Sequence, residues 1–272
     1  EREARTIARL DHPHIVGIHE VGRSSTGLPY YTMPYLPNGD LGRRRLRGDS
    51  RAVLAVLRAL VDALAYAHAH GVVHRDVKPD NVLFDKNDRP LLTDFGIALA
   101  TTLDHDHRVT ERGRTLGSSG YMSPEQARGS DVDARADLYS LGVVCHELLT
   151  GDLPFQGIDA LSMAMAHVED PVPRLPAALA AWQPFLDRAM AKSPNDRYQD
   201  AAEMRAGLDA VERALDAPPP VPPRPTLRPV LLGVLLAVSA NRRLRGIKVF
   251  QTIFASTVAS SVAVASVLFL TL

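Results

Sequence analysis

Cysteine is nearly missing from the sequence, and neither sign of charge predominates. Cys145 is the single cysteine among 272 residues, so a disulfide within the chain is impossible. Lysine plus arginine and aspartate plus glutamate are equal at 31 each, so no overall field attracts nucleic acid. The composition therefore disfavours a disulfide-stapled secreted scaffold and a nucleic-acid-binding protein. Cys145 lies within the apolar residues 141–149 and is predicted to be a buried core residue.

Glycine-rich phosphate-binding sequence is also lacking. No GxGxxG run occurs, and the glycines between residues 113 and 120 are sparse and follow no predicted strand. The sequence starts in polar, helical residues without an initiator methionine or a signal peptide. We therefore expect either a fragment of a longer protein or a chain that has lost an N-terminal segment.

Acidic residues, by contrast, are present at a characteristic spacing. Asp76 lies in the run His-Arg-Asp-Val-Lys-Pro-Asp-Asn at residues 74–81, and Asp94 opens an Asp-Phe-Gly triplet. Residues 82–84 and 90–93 are predicted to be short strands joined by a turn, which would bring Asn81 beside Asp94. Phosphoryl transfer needs one carboxylate that accepts a hydroxyl proton and further oxygen ligands that hold Mg²⁺ against phosphates. The pattern indicates such a site; the alternative is a charged hairpin whose acids only cap turns.

These motifs, in this order, resemble those of the bacterial eukaryotic-like Ser/Thr protein kinases, over residues 1–215. The resemblance implies an α+β, protein-kinase-like fold of two lobes, with a mostly helical large lobe and an incomplete small-lobe sheet. It implies that Asp76 is the catalytic base and that Lys78 steadies the γ-phosphate of ATP. Asn81 and Asp94 would bind Mg²⁺. Lys78, two residues after Asp76, is the family's mark of Ser/Thr rather than Tyr specificity.

The same resemblance assigns residues to nucleotide binding. Glu3 matches the αC glutamate, which pairs with a strand lysine that this sequence does not contain. Met33 would be the gatekeeper, and the backbone of Pro34 and Leu36 would meet adenine. Proline replaces the family's usual glutamate there but keeps the carbonyl that is used. Asp40 is predicted to contact the ribose or to cap a helix.

Residues 15–21 and 28–36 are predicted to be the two strands of this partial small lobe. With the remaining strands missing from the sequence, we expect four apolar residues to be poorly covered and prone to aggregation. These are Ile15, Val16, Tyr31 and Met33.

Residues 97–120 lose apolar periodicity and occupy the position of a kinase activation segment. By resemblance, Arg75 can clamp a phosphorylated residue of this loop. Thr110 is the first candidate for that phosphorylation and Thr115 the second. Ser118 matches the residue that lines the acceptor pocket.

Two apolar helices are predicted for the large lobe. Residues 52–69 form an amphipathic helix that ends at Gly71, and residues 138–149 form a central helix. His68 and His70 are interpreted as helix-end residues because no matching cluster at ligand spacing accompanies them.

Three charged residues have structural roles by resemblance. Asp137 matches the αF aspartate that braces the His-Arg-Asp backbone. Arg197 matches the arginine that pairs with Glu125, and removing one partner of such a buried pair costs roughly 3–5 kcal/mol. The alternative for each is an ordinary surface charge.

After residue 215 the composition changes. Residues 216–229 are proline-rich and are predicted to be a juxtamembrane linker. Residues 230–248 combine a short apolar segment with a basic cluster. Residues 249–272 carry no formal charge and are predicted to be a transmembrane helix. The basic residues beside it predict a single-pass protein in the cytoplasmic membrane with its kinase domain in the cytoplasm.

Two classes of function remain open from the sequence. The first is an ATP- and Mg²⁺-dependent, membrane-tethered signalling kinase that phosphorylates Ser/Thr residues on proteins, of which this chain is an impaired fragment. The second is a non-catalytic, pseudokinase-like scaffold that binds partner proteins. The retained Asp76, Lys78, Asn81 and Asp94 favour the enzyme. Self-association for autophosphorylation is also expected, and nucleic acid is not an expected partner.

Overall fold

The computed structural model describes residues 9–27, 29–95 and 119–217, all within the unit Glu1–Ala217. The strands are β1 (Glu20–Arg23), β2 (Pro29–Thr32), β3 (Val82–Phe84) and β4 (Pro90–Leu92). The helices are α1 (Ser50–Ala69), α2 (Pro124–Ala127), α3 (Ala134–Thr150), α4 (Ala160–Glu169), α5 (Gln183–Ala189) and α6 (Ala201–Asp216). Short 3-10 helices cover Leu41–Arg43, Pro79–Asn81, Ala177–Trp182 and Pro194–Asp196. Glu3, Thr110, Thr115, Ser118 and residues 218–272 lie outside the described residues, so the expectations placed on them stay predictions.

Helix α1 has a capping residue at its start and a glycine just past its end. The Asp49 side chain accepts a hydrogen bond from the Ala52 amide, and Gly71 adopts φ +72° just past the helix. The predicted apolar stripe is fully buried: Val53, Leu57, Leu60, Leu64 and Ala67. Within the described residues, α1 alone is long and apolar enough to cross a bilayer. More than half of that stretch is buried, and α1 packs against α3, α6 and β4, as a core helix does.

Helix α3 is the centre of the helical part. It buries residues on every face, and the predicted core position of Cys145 is confirmed. Gly142 lets α5 approach, because a Cβ there would lie 2.8 Å from the Cβ of Ala189. Asp133 caps the start of the helix and Gly151, at φ +86°, ends it. A helix packed on all sides is a rigid support for whatever its side chains hold.

The β structure consists of two separate antiparallel hairpins. Val82 pairs with Leu92 in the β3–β4 hairpin, close to the predicted strand limits. Val21 pairs with Tyr31 in the β1–β2 hairpin, which is much shorter than predicted. The prediction of one strand over residues 15–21 was wrong because its first half pairs elsewhere. Ile15 bridges in parallel to Leu92 of β4.

This second pairing also covers part of the apolar surface that was expected to be exposed. The Val16 amide donates to the Leu92 carbonyl at 2.9 Å, and Ile15 and Val16 are both buried. Their expected exposure was therefore wrong. Tyr31 is half-buried, whereas Met33 remains 36% exposed.

Candidate active site

Asp137, at the start of α3, holds the backbone that precedes Asp76. Its Oδ2 accepts from the His74 amide at 2.8 Å, and its Oδ1 accepts from the Arg75 amide at 2.7 Å. The Nε2 atom of His68 lies 2.8 Å from the same Oδ2. Asp137 is buried, so its charge is stabilised by these hydrogen bonds rather than by water. The predicted contact with the His-Arg-Asp backbone is present, and His68 is an additional partner that sequence reasoning missed.

The bracing matters because the backbone of Arg75 adopts φ +67°, which costs energy for a residue with a side chain. The buried ring of His74 fixes the next peptide. Its Nδ1 accepts from the Asp76 amide at 3.2 Å, and its Nε2 donates to the Thr93 carbonyl at 2.7 Å. The ring also lies 4.6 Å from that of Phe95. His74 therefore joins the loop of Asp76 to the residues that follow β4.

The Asp76 carboxylate receives two side-chain donors from its own loop. Lys78 Nζ donates to Oδ2 at 2.8 Å, and Asn81 Nδ2 donates to the same oxygen at 3.0 Å. Asn81 Nδ2 also donates to the Asp76 carbonyl at 2.7 Å. The Asp76 side chain is 41% exposed, so a substrate can reach it. The structure thus brings Asp76, Lys78 and Asn81 together.

The β3–β4 hairpin connects Asn81 to Asp94 as predicted. The Thr93 amide donates to the Asn81 carbonyl at 2.9 Å, and Asp94 is the next residue, at φ +61°. Asp94 Oδ1 accepts from the Tyr31 hydroxyl of β2, a contact that nothing in the sequence pattern indicated. Burial, and then the hydrogen bond to Asp94, raise the pKa of Tyr31 to about 12.

Tyr31 and Asp94 also line a pocket that includes Met33, the predicted gatekeeper. This pocket is lined by Ile15, Val16, Ile18, Tyr31, Met33, Thr93, Asp94 and Phe95, and the Thr93 hydroxyl donates to Met33 Sδ at 3.6 Å. Pro34 is exposed and Leu36 is half-buried. Asp40 caps the 3-10 helix Leu41–Arg43, accepting from the Arg43 amide at 3.1 Å. Its ribose contact stays a prediction.

Glu125 and Arg197 form the predicted buried pair. Arg197 donates from Nη1 to Oε1 at 2.7 Å and from Nη2 to Oε2 at 2.8 Å. The remaining guanidinium hydrogens are directed at three carbonyls, those of Ala191, Arg135 and Lys192. Burial alone would raise the pKa of Glu125, but the hydrogen bonds and charge of Arg197 hold it below its usual value.

The geometry joins a braced carboxylate to a lysine and an amide, and the β3–β4 hairpin adds a second carboxylate that lines a pocket. The family model described as "Protein kinase domain" matches residues 1–206. The chain belongs to the protein kinase family. The predicted α+β, kinase-like fold is therefore confirmed for the described part of this kinase domain.

Curated bacterial kinases resemble the same region. "Serine/threonine-protein kinase PknB" of Mycolicibacterium smegmatis is 44% identical over 232 residues, covering 80% of this chain and 36% of that protein. PknB of Mycobacterium tuberculosis is 40% identical over 231 residues, with 81% and 36% covered. "Serine/threonine-protein kinase PknL" of the same species is 40% identical over 223 residues, with 79% and 55% covered. The chain thus spans about a third to a half of the length of these relatives.

Proposed function

We propose that the protein containing this chain transfers the γ-phosphoryl group of ATP to Ser/Thr residues of other proteins. The observation that carries the proposal is the Asp76 carboxylate, which is accessible and bonded by both Lys78 and Asn81. The similarity to two kinds of bacterial Ser/Thr kinase supports the class of acceptor. Lys78 is the residue type that this class carries at that position.

Asp76 would act as the general base. Lys78 and Asn81 both donate to Oδ2, which leaves Oδ1 as the oxygen presented to an incoming hydroxyl. When a Ser or Thr hydroxyl attacks the γ-phosphorus, its proton passes to Asp76 and the bond to the leaving ADP oxygen breaks. The bracing of this backbone keeps the oxygen in place, so little reorganisation is needed during the reaction.

Asn81 and Asp94 are the residues that would hold Mg²⁺. Their donors fit a hard cation: the Asn81 nitrogen is used for Asp76, which leaves its amide oxygen, and Asp94 adds carboxylate oxygens. When bound, the ion would neutralise charge on the phosphates of ATP. Both residues are placed by the β3–β4 hairpin, one before β3 and one after β4.

Regulation and location are part of the same proposal. Phosphorylation at Thr110 or Thr115 would be clamped by Arg75, and Ser118 would line the acceptor pocket. Copies of the protein would associate to carry out this phosphorylation. Residues 249–272 would tether the protein to the cytoplasmic membrane with the kinase in the cytoplasm, supported by their lack of formal charge. Recovery of the complete chain in the soluble fraction without detergent would contradict the tether.

Asp76→Asn in the full-length protein tests the enzyme. An amide cannot take the proton, so we expect transfer of phosphate from ATP to a Ser/Thr protein to fall by about 10²–10⁴-fold. Asp88→Asn is the matched control, since it removes a carboxylate from the nearby hairpin turn. Phosphorylation by Asp76→Asn at the rate of the control would contradict the assigned base.

One observation favours the non-catalytic alternative. The Tyr31 hydroxyl donates to Asp94 Oδ1, one of the two carboxylate oxygens that would be available to the metal. A scaffold that never binds Mg²⁺ could keep this contact permanently. Absence of ATP turnover in the full-length wild-type protein would support this second function over the first.

A further inference from the structure

The peptide between Arg75 and Asp76 accepts a hydrogen bond from a residue outside residues 74–81 to which the sequence motifs assign no role. Gln126, in helix α2, donates from Nε2 to the Arg75 carbonyl at 2.7 Å. The amide of that same peptide, at Asp76, donates to His74 Nδ1. Both polar groups of the peptide that leads into Asp76 are therefore bonded.

The orientation of the Gln126 amide is set by a second contact. The Ser123 amide donates to Gln126 Oε1 at 2.9 Å, so the side-chain nitrogen must be the atom that faces Arg75. The Ser123 hydroxyl in turn accepts from the Gln126 amide, which completes a capping box on α2. The Gln126 Nε2 donor is thus oriented toward the Arg75 carbonyl by the protein alone.

Helix α2 is itself fixed in the fold. Glu125, the residue before Gln126, forms the buried pair with Arg197, and α2 also packs against α4. A side chain on so firmly held a helix can restrain the orientation of the Arg75 carbonyl, and with it the backbone of this strained residue. Asp137 restrains the same residue from the amide side.

We propose that Gln126 is a positioning residue for Asp76: it fixes the plane of the Arg75–Asp76 peptide and thereby the direction of the catalytic carboxylate. This inference rests on the proposed kinase function for its rate effect, but the restraint on the backbone does not. Because α2 follows the predicted activation segment, residues 97–120, the contact also joins the helix after that segment to the peptide that carries the base.

Gln126→Glu in the full-length protein tests the restraint with almost no change of shape. The substituted side chain keeps an oxygen for the Ser123 amide but places a second oxygen, instead of a donor, against the Arg75 carbonyl. We expect kcat to fall about tenfold, with KM for ATP within twofold of wild type, because the base and not the nucleotide side is displaced. Ser123→Ala is the matched control, since it removes the other half of the capping box and leaves the Gln126 side chain intact.

Hydrogen exchange of the same variants gives a readout that does not require catalysis. In Gln126→Glu the amides of residues 74–78 should exchange faster, while those of residues 138–149 in α3 keep wild-type rates. Ser123→Ala should leave residues 74–78 unchanged. Wild-type exchange at residues 74–78 in Gln126→Glu would overturn the proposal, as would a kcat within twofold of wild type. An inactive wild-type protein would refute the kinase function while the exchange result still decides the role of Gln126.

Discussion

The loop of residues 74–81 and the β1–β2 hairpin both contribute side chains to the candidate site but are held very differently. In the loop, the strained Arg75 and the peptides around Asp76 are bonded by side chains from α2, α3 and the loop itself. His68 of α1 contacts the Asp137 carboxylate that holds them. The hairpin has two four-residue strands. Its side chains Val21 and Tyr30 are exposed, and so is Met33, which follows β2. The side that would handle the acceptor hydroxyl is rigid, and the side that would handle the nucleotide is thinly packed.

This difference has a physical origin in which partners each region can bury. The loop lies on α1 and α3, whose apolar faces come from continuous sequence periodicity. The segment before the hairpin is bonded to β4, and its His14 ring donates to the Pro90 carbonyl at 2.8 Å. Among the described strands, however, β1 and β2 pair only with each other. Substitutions in the large lobe should therefore cost far more stability than those in the hairpin.

Arg197→Leu should have the largest effect. It leaves Glu125 buried and charged without a partner, so we expect the free energy of unfolding to fall by about 3–5 kcal/mol. Trp182, the single tryptophan, is buried and donates to the Ser50 hydroxyl, so its fluorescence reports urea unfolding of the large lobe. The double variant Glu125→Gln with Arg197→Leu is the control and should recover part of the loss. A loss below 1 kcal/mol would show that the pair does not support α2.

Acid should weaken the large lobe through His167. Burial, and then the charge of Lys192, lower the pKa of His167 from 6.5 to about 4. Below pH 6.5 His167 is protonated in the unfolded chain but stays neutral in the folded chain. Its contribution to the free energy of unfolding is therefore present at neutral pH and is lost as the pH falls toward 4. Between pH 7 and pH 5 this histidine alone should remove about 2 kcal/mol.

His167→Gln provides the comparison for that pH effect. Glutamine can still donate to the Gly120 carbonyl and accept from Tyr139 but does not titrate in this range. Its unfolding midpoint in urea should therefore fall less between pH 7 and pH 5 than that of wild type. The residual fall is expected from His146 and His12, whose pKa values are also lowered by burial first. If the unfolding midpoint fell equally with pH in both proteins, groups other than His167 would cause the pH effect.

Tyr31→Phe should change stability least, by less than about 1 kcal/mol, because the residue is only half-buried. It frees Asp94 Oδ1, so Mg²⁺ measured by calorimetry should bind about three- to tenfold more tightly. Tyr30→Phe is the matched control, since its hydroxyl lies 3.5 Å from Glu20, away from the site. Unchanged Mg²⁺ affinity in Tyr31→Phe would mean that the contact does not compete with the metal.

Residues whose roles depend on short sequence spacing could be predicted. The β3–β4 hairpin relating Asn81 to Asp94 and the stripe of α1 follow from local periodicity and turn chemistry, and both are present. The pairing of Glu125 with Arg197 joins residues far apart in sequence. It was predicted only through resemblance to a family, since no local pattern encodes it.

Contacts that depend on tertiary packing were missed. His68 looked like an ordinary helix end, and its approach to Asp137 requires α1 and α3 to cross there. Tyr31 and Gln126 reach Asp94 and Arg75 across elements whose relative placement no single-sequence pattern contains. The strand over residues 15–21 failed for the same reason, because β4 competed for its first half.

The burial of Cys145 makes the molecule convenient for site-specific spectroscopy. Its thiol is the only one in the chain, it lies inside α3, and burial raises its pKa well above the ordinary value. Maleimide reagents attack thiolates at accessible positions, so the native protein should take up almost no label. A single cysteine introduced at the exposed Ser130, just after α2, would then carry a spin or fluorescent probe alone. Such a probe could follow the surroundings of α2 without a background signal from Cys145.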